Sequence, residues 1–295
     1  MTRPYCSLIA RDAREPLAGT ASHAQGCLLL SYPKRMWARD TMASEGMPRS
    51  LLDAIERLAQ DHGVVTRLLA HEGEWRGRVE LTLFPQARRH QGVPIDEVAR
   101  LLDSASQGDG ELVRTPIVAV CTHGVRDRCC ALFGGELVRA LALVGDPDVE
   151  IREASHLGGD RFAPTVLVLP SGHMYGHLTP DDAPALIAAA LGRSALRERF
   201  RGSLWLDPLE QMAQIAAVEL AAREGRDEVP ALGPIARTDH GRDRSVLRCS
   251  MALGEASVDL EITCVREHRL VVGDCRSADR GREGSVHVWR IASKS

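Results

Sequence analysis

Apolar positions fall along this chain in two alternating rhythms. Short apolar or alternating runs at residues 26–31, 64–69, 78–84, 115–120, 148–153 and 165–169 predict strands. Between them, apolar residues three and four apart predict helices. One follows Met47-Pro48, with Leu51, Leu52, Ile55 and Leu58 on its inner face and a stop near Gly63. A second carries Val93, Ile95, Val98, Leu101 and Leu102, with Pro94 near its first turn. A third spans 130–144, with Leu132, Leu137, Leu141 and Val144 inward and Gly145 at its end. The run at 115–120 has no polar interruption, as a strand covered on both faces requires. After residue 169, Pro170-Ser171-Gly172 turns the chain into a further strand at 173–177. Thr179 then caps a closing helix with Pro180 at its first position.

The first hundred residues therefore read β–α–β–β–α, and the middle segment reads β–α–β–β–β–α. The second order suits a thioredoxin-like α/β sandwich. Residues 192–202 are charged and arginine-rich and mark a break. Asp207-Pro208-Leu209-Glu210 starts a helix with a capping box, and Leu209, Met212, Ile215, Ala216 and Leu220 form its stripe. A polar connection at 225–241 leads to strands at 245–251, 256–264, 270–273 and 285–291. The expected fold class is thus α/β: a thioredoxin-like sandwich, preceded by an α/β N-terminal half and followed by a small α+β C-terminal segment. The expected divisions are 1–105, 106–195 with the functional site, and 196–295, an appendage offering no site. No internal repeat is visible in the residues.

Composition narrows the function classes. The 295 residues are 26% charged and 44% hydrophobic, with net charge −3, the profile of a folded domain with no call for a nucleic-acid or membrane partner. The start lacks an apolar core of signal-peptide length, so a cytoplasmic setting is expected, with the eight cysteines mostly reduced. Cys27 and Cys264 sit in apolar runs and read as buried small hydrophobes. Cys6 lies near the start, and Cys249, Cys264 and Cys275 fall in the last fifty residues, with no C-x-x-C pair among them.

Cys121, Cys129 and Cys130 are different. Cys121 ends the buried strand at 115–120, and Cys130 opens the next helix. The loop between them holds His123, Arg126, Asp127 and Arg128. Loops at the carboxyl ends of strands carry function in α/β proteins, and a helix start stabilises a thiolate. His156 follows the next strand in Ser155-His156-Leu157-Gly158-Gly159-Asp160, where the glycines would let backbone approach a bulky group. Thiolate with imidazole is the donor set of zinc sites and of mixed-ligand iron–sulfur clusters. His173 and His177, four apart, share one face if extended.

These runs resemble the sucrase/ferredoxin-like family of thioredoxin-like [2Fe-2S] ferredoxins. The resemblance rests on C-x-H-x-x-R-D-x-x-C from Cys121 to Cys130, S-H-x-G-G-x-R-F-A-P from Ser155 to Pro164, and L-P-x-G-x-x-Y-G from Leu169 to Gly176. Cys6-Ser-Leu and Glu15-Pro-Leu-Ala-Gly-Thr20 extend it to about residues 5–195. It implies an electron carrier with one [2Fe-2S] cluster and a redox partner protein. It carries the cluster cysteines onto Cys121 and Cys130 and the first histidine onto His156. The family's second histidine would stand at 160, where this chain has Asp160. The expected ligands are then Cys121, Cys130, His156 and Asp160, with Cys129, His123, His173 or His177 as other sources of the fourth donor. Two other readings of these residues stand: a zinc site using the same Cys/His/Asp donors, and a thiol redox protein using Cys129 and Cys130. No placed pair of carboxylates suggests glycoside hydrolysis, so an electron carrier is expected rather than an enzyme.

Overall fold

The computed structural model describes residues 3–106 and 110–294. The N-terminal half contains helix α1 (Cys6–Asp12), strand β1 (Gly26–Tyr32), helix α2 (Arg49–His62), strands β2 (Val64–Ala70), β3 (Arg78–Phe84) and β4 (Arg88–Pro94), and helix α3 (Val98–Ser106). Strand β5 (Glu111–Leu112) leads into a second series. This comprises β6 (Ile117–Cys121), helix α4 (Gly135–Val144), β7 (Glu150–Ala154), β8 (Val166–Leu169), β9 (His173–Tyr175), helix α5 (Ala183–Ala190) and β10 (Phe200–Ser203). The ten strands form one sheet in the order β10-β9-β8-β6-β7-β2-β1-β3-β4-β5.

That order contains the same topology twice. In the second series β6 pairs parallel with β7 and antiparallel with β8, and β8 pairs antiparallel with β9. This is the expected thioredoxin-like arrangement. In the first series β1 pairs parallel with β2 and antiparallel with β3, and β3 antiparallel with β4. The two units join edge to edge, with Leu69 of β2 opposite Ala154 of β7. A structural repeat therefore exists where the residues show none. The expected helix starting at Val93 is shorter, because Val93 belongs to β4 and α3 begins at Val98. Arg88–Pro94 alternates too little to announce a strand; it pairs between β3 and the short β5 near the sheet edge and is at most half-buried.

Period-two alternation sorts each strand's side chains between two cores. Val118 and Val120 of β6 pack with Leu137 and Leu141 of α4 and with Leu186 and Ile187 of α5. Leu28 and Leu30 of β1 pack in the same way with Leu51 and Ile55 of α2 and with Val98 and Leu102 of α3. Ile117, Ala119 and Cys121 point to the opposite face, into a core that also holds Cys27, Leu29, Cys6, Cys129, Cys130 and Cys275. Helices α2–α5 thus cover one face of the sheet, and six of the eight cysteines, Cys6, Cys27, Cys121, Cys129, Cys130 and Cys275, gather on the other.

After β10, helix α6 (Pro208–Arg223) opens with the expected capping box from Asp207 and Glu210. It is buried nearly all round, because Ile215 and Val218 face the large sheet while Leu209, Met212, Ala213 and Ala216 face a second sheet. That sheet is antiparallel, in the order β11 (Ala236–Asp239), β12 (Arg244–Leu253), β13 (Ala256–Val271), β14 (Gly284–Lys294). The expected strand at 270–273 is the end of β13, and the chain then forms the short helix α7 (Cys275–Asp279). The break expected at 192–202 instead contains β10, which continues the large sheet, and buried Arg201 bonds to Thr20 and to the Gly158 carbonyl.

Candidate metal centre

Cys121 is the last residue of β6, and the chain leaves it in a tight loop in which the Arg126 and Asp127 amides both donate to the His123 carbonyl. The loop enters α4 through a π-helical turn, Cys130–Gly134. Such turns recur at functional sites. Gly134 is required there: a Cβ on it would stand 2.1 Å from the Cys121 carbonyl oxygen, so the turn can lie on the strand end only without a side chain.

The structure brings the four expected residues to one place. Cys130 Sγ lies 3.8 Å from Asp160 Oδ1, and His156 Nδ1 lies 2.8 Å from the same oxygen. The His156 contact is close without the alignment of a hydrogen bond, since Nδ1 has no partner in line with its ring N–H direction. Arg126 Nε meets the other carboxylate oxygen at 3.3 Å. The Cys121 and Cys130 thiols interact with each other. That interaction lowers the Cys121 pKa against the cost of burial, and the His123 and Leu157 amides, directed at the sulfur, lower it further. The Cys130 pKa is raised by the same interaction and by burial, so the pair holds one negative charge more easily than two. Burial works against an ionised Asp160, but His156 and Arg126 outweigh it and hold the carboxyl below its ordinary range. The Asp160 side chain is 5% exposed and that of His156 26%, so His156 is the donor nearest to water.

The other candidates for a fourth donor are turned elsewhere. The His156 amide donates to His123 Nδ1 at 3.3 Å, and burial pushes the His123 pKa down to about 4. His173 packs its ring on Phe200, and His177 accepts a hydrogen bond from Arg11 Nε while stacking edge-on against Phe162. Gly158 and Gly159 do not open space for a cofactor. A Cβ would stand 2.2 Å from Ser22 Oγ at Gly158 and 2.6 Å from Arg201 Nη2 at Gly159, so the close approach is to the protein itself. Ser155 joins the two sheet halves, with Oγ accepting from the Leu68 amide at 2.9 Å. Arg161 pairs with Glu15 at 2.7 Å, which ties the first run of family-like residues to the second.

Cys129 points away from Cys130, as consecutive residues on a helical turn must. It enters a second group that the residues alone did not reveal: Cys6 at the start of α1, Cys129, Cys275 at the start of α7, and Asp127. All four are buried, and one donor atom from each lies within 4.8 Å of the others. Sγ–Sγ separations are 3.6 Å for Cys6–Cys129, 3.0 Å for Cys129–Cys275 and 3.7 Å for Cys275–Cys6. Asp127 accepts from the Cys129 amide at 2.8 Å and the Cys275 amide at 2.7 Å, and burial raises its pKa to about 6. The neighbouring thiols of Cys275 and Cys6 lower the Cys129 pKa, while Cys129 and Cys275 raise that of Cys6. The signals in the sequence were Cys129, a third cysteine in ten residues, and Cys6 in the first family-like run, but nothing there joined them to each other or to Cys275.

The profile of the sucrase/ferredoxin-like family matches residues 17–202, well over half of the chain. The chain belongs to the sucrase/ferredoxin-like family. Among curated proteins, it is similar to the altered inheritance of mitochondria protein 32 of Meyerozyma guilliermondii. The two are 23% identical over 117 residues, which is 37% of this chain and 42% of that protein. The chain thus spans about two-fifths of the length of that relative. Among solved structures it is similar to a thioredoxin-like [2Fe-2S] ferredoxin from Aquifex aeolicus, at 22% identity and a TM-score of 0.27, covering 31% of this chain and 94% of that one. A second structure of that ferredoxin gives 21% identity and a TM-score of 0.26, covering 30% and 97%. Among the described residues, no helix is long and apolar enough to cross a membrane.

Proposed function

We propose that the protein is a one-electron carrier that holds a [2Fe-2S] cluster on Cys121, Cys130, His156 and Asp160. The observation that carries this reading is the convergence of Cys130, Asp160 and His156 at 2.8–3.8 Å, beside Cys121, in a member of this family. Two buried thiols and one imidazole fit such a cluster, and Asp160, an ionised carboxylate and the hard donor of the set, completes it from the position of the family's second histidine. The amides of His123 and Leu157 directed at Cys121 fit as well, because N–H groups aimed at sulfur stabilise thiolate charge.

The cluster supplies a one-electron couple. The residues of this chain set its surroundings. Cys121 and Cys130 anchor it on the rigid end of β6 and the start of the following helix. Arg126 neutralises part of the negative charge through Asp160, and Arg67 of β2 lies near enough to Cys121 to interact with it electrostatically. His156, the most exposed of the four donors, is the group through which an electron or a proton can pass between the cluster and a partner. A soluble redox protein docking over His156 is the partner this reading implies.

The test is anaerobic purification of the full chain with assays of iron, acid-labile sulfide and zinc. The proposal expects a coloured protein with about two irons and two sulfides per chain, and loss of both in Cys121→Ser and Cys130→Ser. A colourless protein whose only metal is zinc, lost in those same variants, would assign the site to zinc and overturn the proposal.

A further inference from the structure

We infer that Cys6, Cys129, Cys275 and Asp127 form a second, independent metal site that binds a single zinc ion. These donors share no residue with the proposed cluster ligands. They come from three distant parts of the chain, yet all four are buried around one point.

The spacing suits one tetrahedral ion. Zinc–thiolate bonds of about 2.3 Å in a tetrahedron place sulfurs about 3.8 Å apart. Two of the Sγ–Sγ edges, 3.6 and 3.7 Å, lie close to that value, and the third, Cys129–Cys275 at 3.0 Å, is shorter and would open as an ion enters. Asp127 Oδ2 stands 3.8 Å from Cys6 Sγ, the remaining kind of edge. All four donors lie within 4.8 Å of one another, the spacing of ligands that share a single ion. Three thiolates and a carboxylate are a soft-weighted set that zinc accepts and that magnesium and calcium do not.

The surroundings are built to hold these donors. Each Asp127 oxygen accepts one backbone amide, from Cys129 and from Cys275, which fixes the carboxylate and leaves each oxygen a further lone pair. Helix α7 is clamped to the loop by Arg128, which grips Asp279 with two nitrogens at 2.6 and 2.8 Å. Arg39 bridges Asp274, the residue before Cys275, and the Arg126 carbonyl. The zinc would therefore tie the N-terminal helix and the C-terminal segment to the loop that carries Cys130. This gives the region beyond residue 196 a role: it supplies one ligand and closes the face on which Cys121 lies.

The experiment is metal analysis of the full-length protein, produced with both zinc and iron available, in the wild type and in Cys6→Ser, Cys275→Ser and Cys121→Ser. The expected result is about one zinc per chain in the wild type. Zinc falls at least tenfold in Cys6→Ser and Cys275→Ser, and iron and sulfide remain. Cys121→Ser shows the reverse. Two zincs per chain, one lost in Cys121→Ser and the other in Cys275→Ser, would defeat the cluster reading and support this one, whereas a single zinc lost in Cys121→Ser but kept in Cys275→Ser overturns both. Should a serine variant fail to fold, the wild-type chain stripped with a chelator is titrated with cobalt(II). Saturation at one equivalent, with the charge-transfer and d–d bands of tetrahedral thiolate cobalt, supports the site. The inference is overturned by wild-type protein without zinc whose Cys6, Cys129 and Cys275 are free or joined as a disulfide. It is equally overturned by iron at these cysteines, or by stripped protein that gives no thiolate–cobalt bands.

Discussion

Replacing Asp160 tests how the site sets the reduction potential. Asp160→His removes one negative charge and supplies the neutral imidazole found at this position in the family pattern. The charge removed lies 3.8 Å from Cys130 Sγ. At that separation and an effective dielectric of about 20, one unit charge is worth about 4 kcal/mol. For a one-electron couple, at about 59 mV per tenfold, this is a rise of about 170 mV. An independent bracket agrees: exchanging two thiolates for two histidines spans plant-type to Rieske potentials, so each ligand accounts for about 125–350 mV. Arg126, freed from its partner, adds to the rise. Asp160→Asn removes the same charge without added bulk and shifts the potential in the same direction. The assay is a redox titration followed by visible absorption and by electron paramagnetic resonance. A shift below about 50 mV, or a downward shift, with iron retained would refute the placement of the Asp160 charge beside the redox group.

Three further perturbations follow from the packing. Gly134→Ala forces a methyl group to 2.1 Å from the Cys121 carbonyl, a backbone atom that cannot yield, and costs about 3 kcal/mol in urea unfolding with loss of bound iron. Asp207→Ala removes the capping box of the helix between the two sheets and costs about 1 kcal/mol by the same measurement. His177 has its pKa lowered to about 3 by burial and by the Arg11, Arg201 and Arg199 cations, against 6.5 for an ordinary histidine. The unfolded chain therefore binds a proton that the folded one rejects, so stability is full above pH 6.5 and falls as the pH drops toward 3, by up to about 1.4 kcal/mol per pH unit. His177→Asn, which keeps an acceptor for Arg11 and suits the positive φ of 55°, removes that part of the acid slope and leaves stability at pH 8 nearly unchanged.

The parts of the site that could be read from the sequence are those that follow an apolar strand. Cys121 ends a buried strand, His156 follows its parallel neighbour, and Cys130 stands at a helix start, so topology alone brings them to the carboxyl ends of two adjacent strands. The second thiol group could not be read in this way. Cys6 and Cys275 are lone cysteines on short helices, and only tertiary packing joins them to Cys129. The duplicated topology was hidden because β4, Arg88–Pro94, is polar and at most half-buried, so it carries no apolar alternation. The two glycines after His156 show the opposite error. The close approach they permit is real, but it is made by Ser22 and Arg201 rather than by a cofactor.

Ligation of a [2Fe-2S] cluster by His156, Cys121 and Cys130 at the end of β6 is read by pulsed electron paramagnetic resonance of the dithionite-reduced protein. The wild type is expected to show nitrogen hyperfine coupling from a directly bound imidazole. In His156→Cys this coupling disappears while the cluster signal remains. A reduced-cluster signal without nitrogen coupling, or coupling that survives in His156→Cys, rules out His156 as a cluster ligand.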